Sequence, residues 1–162
     1  MSQDYEVKAG LAEVNSFTVV GISIMTDRSK DTQDINALWE AFFSQEIDQK
    51  ITAKTDDFIY AVYSDYEGDY EKPYRYTIGY RVEDDRDVET ATDTQLNAVT
   101  IQDQSYAVMS AAGKQPDALI ETWTAIWSSD LERTYKTDFE LYGERFFEDG
   151  VNEVLIHVGV AT

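Results

Sequence analysis

The chain has no cysteine, a single histidine, two prolines, few basic residues and no apolar run long enough to cross a bilayer. Without cysteine, disulfides and thiol chemistry are excluded, which is compatible with the cytoplasm. The N-terminus also lacks the basic-then-apolar pattern of a signal peptide, so a cytoplasmic location is expected. With His157 alone, neither a conventional zinc site nor a Ser-His-Asp triad has its ligands. The acidic cluster Glu83, Asp84, Asp85 and Asp87 lacks the glycine and terminal glutamate of a helix-loop-helix calcium loop. No metal and no cofactor are expected. Basic residues number 13 against 32 acidic ones, a net charge of -19. That field repels nucleic acid and anionic membrane and concentrates cations near any cleft; it equally serves solubility.

What the chain does have is apolar and aromatic material, 43% and 13% of its residues, enough for a folded globule of one domain spanning 1–162. It also has an internal repeat. Ile35 through Ile47 can be laid on Leu119 through Leu131 so that Trp39 meets Trp123, Ala41 meets Ala125 and Ser44 meets Ser128. Ile35, Leu38, Trp39, Phe42 and Phe43 follow the three-four spacing of an amphipathic helix. The second copy opens on Pro116-Asp117, a proline suited to a first helical turn and an acid suited to its dipole.

Runs of β-branched and aromatic residues surround each helix: 17–25, 58–63 and 74–82 about the first, 106–112, 138–142 and 154–160 about the second. Each half reads strand, helix, strand, strand. The predicted fold is α+β, two tandem βαββ units in pseudo-twofold arrangement with a ligand groove between them. The first unit covers about 17–83 and the second about 99–161, with a polar linker at about 84–98.

The segment Asp138-Phe139-Glu140-Leu141-Tyr142 carries the chemical interest. Alternation puts Phe139 and Leu141 on one face of a strand and Glu140 and Tyr142 on the other. If both faces are covered, Glu140 is a carboxylate among aromatics, which is expensive unless it has a task. Tyr60 and Tyr63 occupy the matching element of the first unit, and Tyr80 its neighbour. An acid ringed by tyrosine and tryptophan suits a cation with an apolar body; the same aromatics would also serve as plain core. Residues 66–73 read as a hairpin loop at the pocket mouth.

The order of elements, with Ile59 through Tyr63, Asp65-Tyr66-Glu67, Tyr74 through Gly79, the Trp123/Trp127 helix, and Phe139 through Tyr142 followed by Arg145-Phe146, resembles the GyrI-like effector-binding domains. These are ligand-binding modules of AraC- and MerR-type transcription regulators and stand-alone proteins, some carried on integron cassettes. The resemblance runs from about Phe17 to Val160. It implies that Glu140 lies in an aromatic pocket between the halves and pairs with cationic, lipophilic ligands. It assigns Tyr142 and Trp127 to the same pocket, with Tyr63 and Tyr80 placed by strand position and Trp123 by the helix. The chain departs from the family in having Gly159 near the place of a proline. No helix-turn-helix is seen before Phe17, so the resemblance implies a binding module that does not itself contact DNA. Regulation would then need a protein partner, a separate regulator or a second copy joined through a strand edge.

Two other functions compete with binding. Some relatives resemble hydrolases that use the same glutamate, and a carboxylate in an apolar pocket has its pKa raised into general acid or base range. Glu140 with the Tyr142 hydroxyl would be the minimum apparatus. Relatives that act on DNA gyrase suggest a protein-protein inhibitor. A haem role for His157 is the weakest reading, since alternation in a terminal strand explains that residue.

Overall fold

The computed structural model describes residues 11–68, 72–83, 96–115, 117–129, 131–143, 146–147 and 151–161. Eight strands form one antiparallel sheet: β1 Leu11–Val14, β2 Phe17–Thr26, β3 Ile59–Ser64, β4 Tyr74–Val82, β5 Asn97–Ile101, β6 Gln104–Ala111, β7 Arg133–Tyr142 and β8 Val154–Val160. Helix α1 is Asp31–Ser44, α2 is the single turn Ile47–Lys50, and α3 is Asp117–Trp127. The chain is therefore α+β, with two βαββ units: β2-α1-β3-β4 and β6-α3-β7-β8. Most of the expected linker falls outside the described residues, as do Asp84, Asp85 and Asp87; Asn97 and Ala98, at its end, already belong to β5.

The strand order is β1-β6-β8-β7-β3-β4-β2-β5, so the units join edge to edge through β3 and β7. The order looks open but is not. Asn15-Ser16 alone connect β1 to β2, a reach of at most about 11 Å. Laid flat, those strands would stand about 29 Å apart. The pairing resolves the conflict. One antiparallel register runs from Leu11 opposite Ala107, through Val14 opposite Gln104 and Phe17 opposite Ile101, to Gly21 opposite Asn97. Thus β1-β2 and β5-β6 behave as two long bent strands that pair with each other and draw the sheet into a ring.

The inside of that ring is filled. Val19, Val62, Ile101, Tyr106 and Phe139 are buried there. Phe17 meets Tyr60 at 5.6 Å and Phe139 at 5.7 Å across it, edge to face. His157 stacks on Phe139 at 4.2 Å; burial lowers its pKa to about 4 and leaves it a neutral wall residue. The outer face carries the helices. Phe42, Ile47, Ile51 and Ile78 pack beneath α1 and α2, and Trp123, Ile126, Met109 and Ile156 beneath α3. Each such side chain contributes about 1.5–3 kcal/mol through burial. Both helices thus lie on the outer face, one per unit, and the β3–β7 seam runs between them.

Candidate functional site

The space between α1 and α3 over that seam is a cavity of about 600 Å³, within the range of small-molecule sites. Ile35, Trp39 and Phe43 face it from α1; Leu119, Trp123 and Trp127 face it from α3, each set at four-residue steps along one helix face. Tyr63 on β3, Tyr74 and Tyr76 on β4, and Glu140 and Tyr142 on β7 make the floor, and Phe146 and Phe147 add to the wall. Phe43, Ile120 and Phe147 line it and are exposed, giving the mouth an apolar rim.

Glu140 is 1% exposed. Its cross-strand neighbour on β3 is Ala61, which is too small to fill the space above the seam. Three neutral donors hold the carboxylate. Tyr63 Oη donates to Oε2 at 2.7 Å, Trp123 Nε1 donates to the same oxygen at 2.8 Å, and Tyr142 Oη donates to Oε1 at 2.6 Å. Among the described residues no cation pairs with it. Burial raises its pKa, and the hydrogen bonds from Tyr142, Tyr63 and Trp123 pull it back. Burial, and after it the charge of Glu140, pushes the Tyr63, Tyr76 and Tyr142 phenols well up, so they stay protonated and remain donors. Around the carboxylate the rings touch: Tyr63 lies 5.1 Å from Trp123 and 5.1 Å from Tyr76, and Trp39 lies 5.1 Å from Tyr142.

Three further charged groups border the cavity: Arg28, which lies 4.9 Å over the Trp127 ring, Asp31 and Arg133. Asp31, at the start of α1, accepts from Tyr74 Oη at 3.2 Å, and burial raises its pKa. Arg133, at the start of β7, pairs with the fully buried Asp138 at 2.8 Å. Asp138 also accepts from Gly159 N at 2.7 Å and from Tyr66 Oη.

Five of the six residues singled out from the sequence therefore meet at one cavity: Glu140, Tyr142, Tyr63, Trp123 and Trp127. Tyr80 does not. It shares the outer face with Tyr74 and Tyr76, but stands four residues beyond Tyr76, about 13 Å along β4. There it packs on Phe42 at 5.7 Å and lies under Lys54 Nζ at 4.7 Å. Tyr60 points into the ring instead. The sequence reading missed Trp39, Tyr74, Tyr76 and Arg133 as wall residues. The repeat held a signal for Trp39, as the twin of Trp123, and alternation held one for the β4 tyrosines. No cluster of three or more histidine or acidic side chains suited to a metal ion occurs among the described residues, nor does a helix long and apolar enough to cross a membrane.

The fold has solved counterparts. An integron cassette protein from the mobile metagenome of Vibrio cholerae superposes with a TM-score of 0.73 at 24% identity, covering 94% of this chain and 95% of that one. SAV2435, solved bound to tetraphenylphosphonium, superposes at 0.76 with 18% identity, covering 94% and 93%. In sequence, YobU of Bacillus subtilis (strain 168), named as a candidate transcriptional regulator, is 28% identical over 130 residues, 78% of this chain and 79% of its own. Residues 10–159 match the Cass2 family, described as integron-associated effector binding protein. With nearly its whole length inside that match, the chain belongs to the Cass2 family of integron-associated effector binding proteins.

Proposed function

We propose that this protein binds lipophilic organic cations, with Glu140 as counterion and the aromatic walls as the apolar host. One observation carries the reading: a fully buried carboxylate on the floor of an aromatic cavity, held by three neutral donors and by no cation among the described residues. Leaving such a charge unpaired is costly, and a cation entering the cavity would relieve that cost. The cage is already built in the folded chain, so little ordering remains for binding to supply. Tyrosine and tryptophan faces add attraction for the positive charge. The neighbour SAV2435, with the same fold, was solved with a cation of this class bound.

Tetraphenylphosphonium and tetraphenylborate, alike in shape and opposite in charge, test this by calorimetry. The cation is expected to bind and the anion to fail. Glu140→Gln should weaken the cation by about a hundredfold, the worth of a charge-assisted contact near 3 kcal/mol. Equal binding of the two ions, or undiminished binding by the Gln variant, would sink the assignment.

A further inference from the structure

Among the described residues that line the cavity, Arg133 is a buried polar group with unmade hydrogen bonds that the cation reading leaves unused. Its side chain is 6% exposed and borders the cavity. Nη2 donates to Asp138 Oδ2, while Nε and Nη1 are buried without any hydrogen-bond partner. Buried donors left unmade are rare and cost about 1–3 kcal/mol each, and a guanidinium cannot shed its proton to escape that cost. Asp138 takes only Nη2 from the guanidinium, its other bonds coming from Gly159 N and Tyr66 Oη. The guanidinium lies 4.4 Å over the Tyr135 ring and 5.9 Å over the Trp123 ring, and a turn of the side chain would bring Nε and Nη1 from there to the cavity.

Resting on the cation reading above, we propose that Arg133 forms a second subsite. The ligand class is a lipophilic cation that also carries a neutral hydrogen-bond acceptor, such as a ketone, amide or ether oxygen. Three points select a neutral acceptor over an anion. The charge of Arg133 is already balanced by Asp138 at 2.8 Å. An anionic group placed at Arg133 would therefore meet Asp138 and Glu140, with the charge of Arg133 already taken. A carbonyl needs only the spare N–H groups. Trp123 joins the two subsites, with its indole N–H on Glu140 and its ring face toward Arg133. Cation and acceptor then belong a few bonds apart on one ligand.

The test uses hexyltriphenylphosphonium and three analogues with a single ketone at the third, fourth or fifth chain carbon. Against the full-length protein, at least one ketone is expected to bind roughly tenfold tighter than the plain chain, as one hydrogen bond to a charged donor predicts. In Arg133→Gln/Asp138→Asn, which removes both charges together, that ratio should fall to about one. Arg133→Lys is the second variant; it retains the ion pair, gives up the guanidinium fork and should reduce the ratio as well. No ketone position binding tighter than hexyl, or a preference that survives in both variants, overturns the subsite while leaving the cation site standing. If hexyltriphenylphosphonium itself fails to bind, the cation reading falls and this proposal with it.

Discussion

The two βαββ units share a scaffold and differ in what their tryptophans meet. Tyr76 and Ile156 are the third residues of β4 and β8, and their cross-strand partners on β3 and β7 are Tyr63 and Glu140. Above them stand the twin tryptophans. Trp39 donates its indole N–H to the Tyr76 phenol at 2.9 Å, and Trp123 donates its own to Glu140 at 2.8 Å. The first unit thus completes its wall with neutral rings, while the second puts a carboxylate where the first has Tyr63. The repeat supplies two helices, a seam and an aromatic lining, and the chemistry resides where the repeat is broken.

The largest expected effect concerns the scaffold. In the first unit Gly21 faces Gly79 across β2 and β4, and a Cβ on Gly79 would come 2.1 Å from Val20 O. Backbone cannot swing aside, so Gly79→Ala is expected to cost more than about 3 kcal/mol and to prevent folding or lower Tm sharply. The second unit has Tyr106 opposite Gly159, whose added Cβ would meet the Gln104 and Thr134 side-chain ends. These can move, so Gly159→Ala should cost about 1 kcal/mol. Similar losses in the two variants, measured by urea denaturation, would mean that the units are more alike than their glycines suggest.

The second effect uses pH. Tetraphenylphosphonium keeps its charge at every pH, so its affinity follows the carboxylates of the cavity, Glu140 on the floor first and Asp31 at the border after it. Affinity should be flat above the raised pKa of Glu140 and fall about tenfold per pH unit below it. The stability of the free protein runs the other way. Because ionisation of Glu140 is disfavoured by burial, its contribution is best at low pH and declines as pH rises from the ordinary carboxylate range through the raised value. Glu140→Gln removes that decline. Comparing Tm against pH for the two proteins checks it, and parallel curves would show that the carboxylate carries no desolvation penalty.

Much of this arrangement was legible in the sequence because it is local. Three-four spacing marks the first helix, the overlay of Trp39 on Trp123 with Pro116-Asp117 marks the second, and alternation separates Glu140 and Tyr142 from Phe139 and Leu141. What alternation cannot say is how far along a strand a cavity extends, so it gives Tyr80 the same standing as Tyr74 and Tyr76, which line the cavity. Ring closure was equally out of reach. Val14 pairs with Gln104 and Phe17 with Ile101, contacts across most of the chain that no spacing rule encodes. Arg133 was hidden for a related reason: β7 starts five residues before the segment recognised as strand, and the arginine acquires its place only through Asp138.

The smallest effect separates the twin tryptophans. Trp39→Phe removes a donor from a phenol that can turn to other partners, about 1 kcal/mol of stability, and leaves the titration of Glu140 where it was. Trp123→Phe removes one of the three hydrogen bonds that favour the ionised form of Glu140. Its pKa should then rise further, carrying the midpoint of the pH dependence of tetraphenylphosphonium binding upward. Affinity at a pH above both midpoints should fall only several-fold, since Tyr63 and Tyr142 still hold the carboxylate. The informative quantity is the midpoint, because both substitutions trim the same aromatic wall and only one touches the charge. A midpoint that moves equally in both variants would mean that the cavity, and not the hydrogen bond to Trp123, sets the state of Glu140.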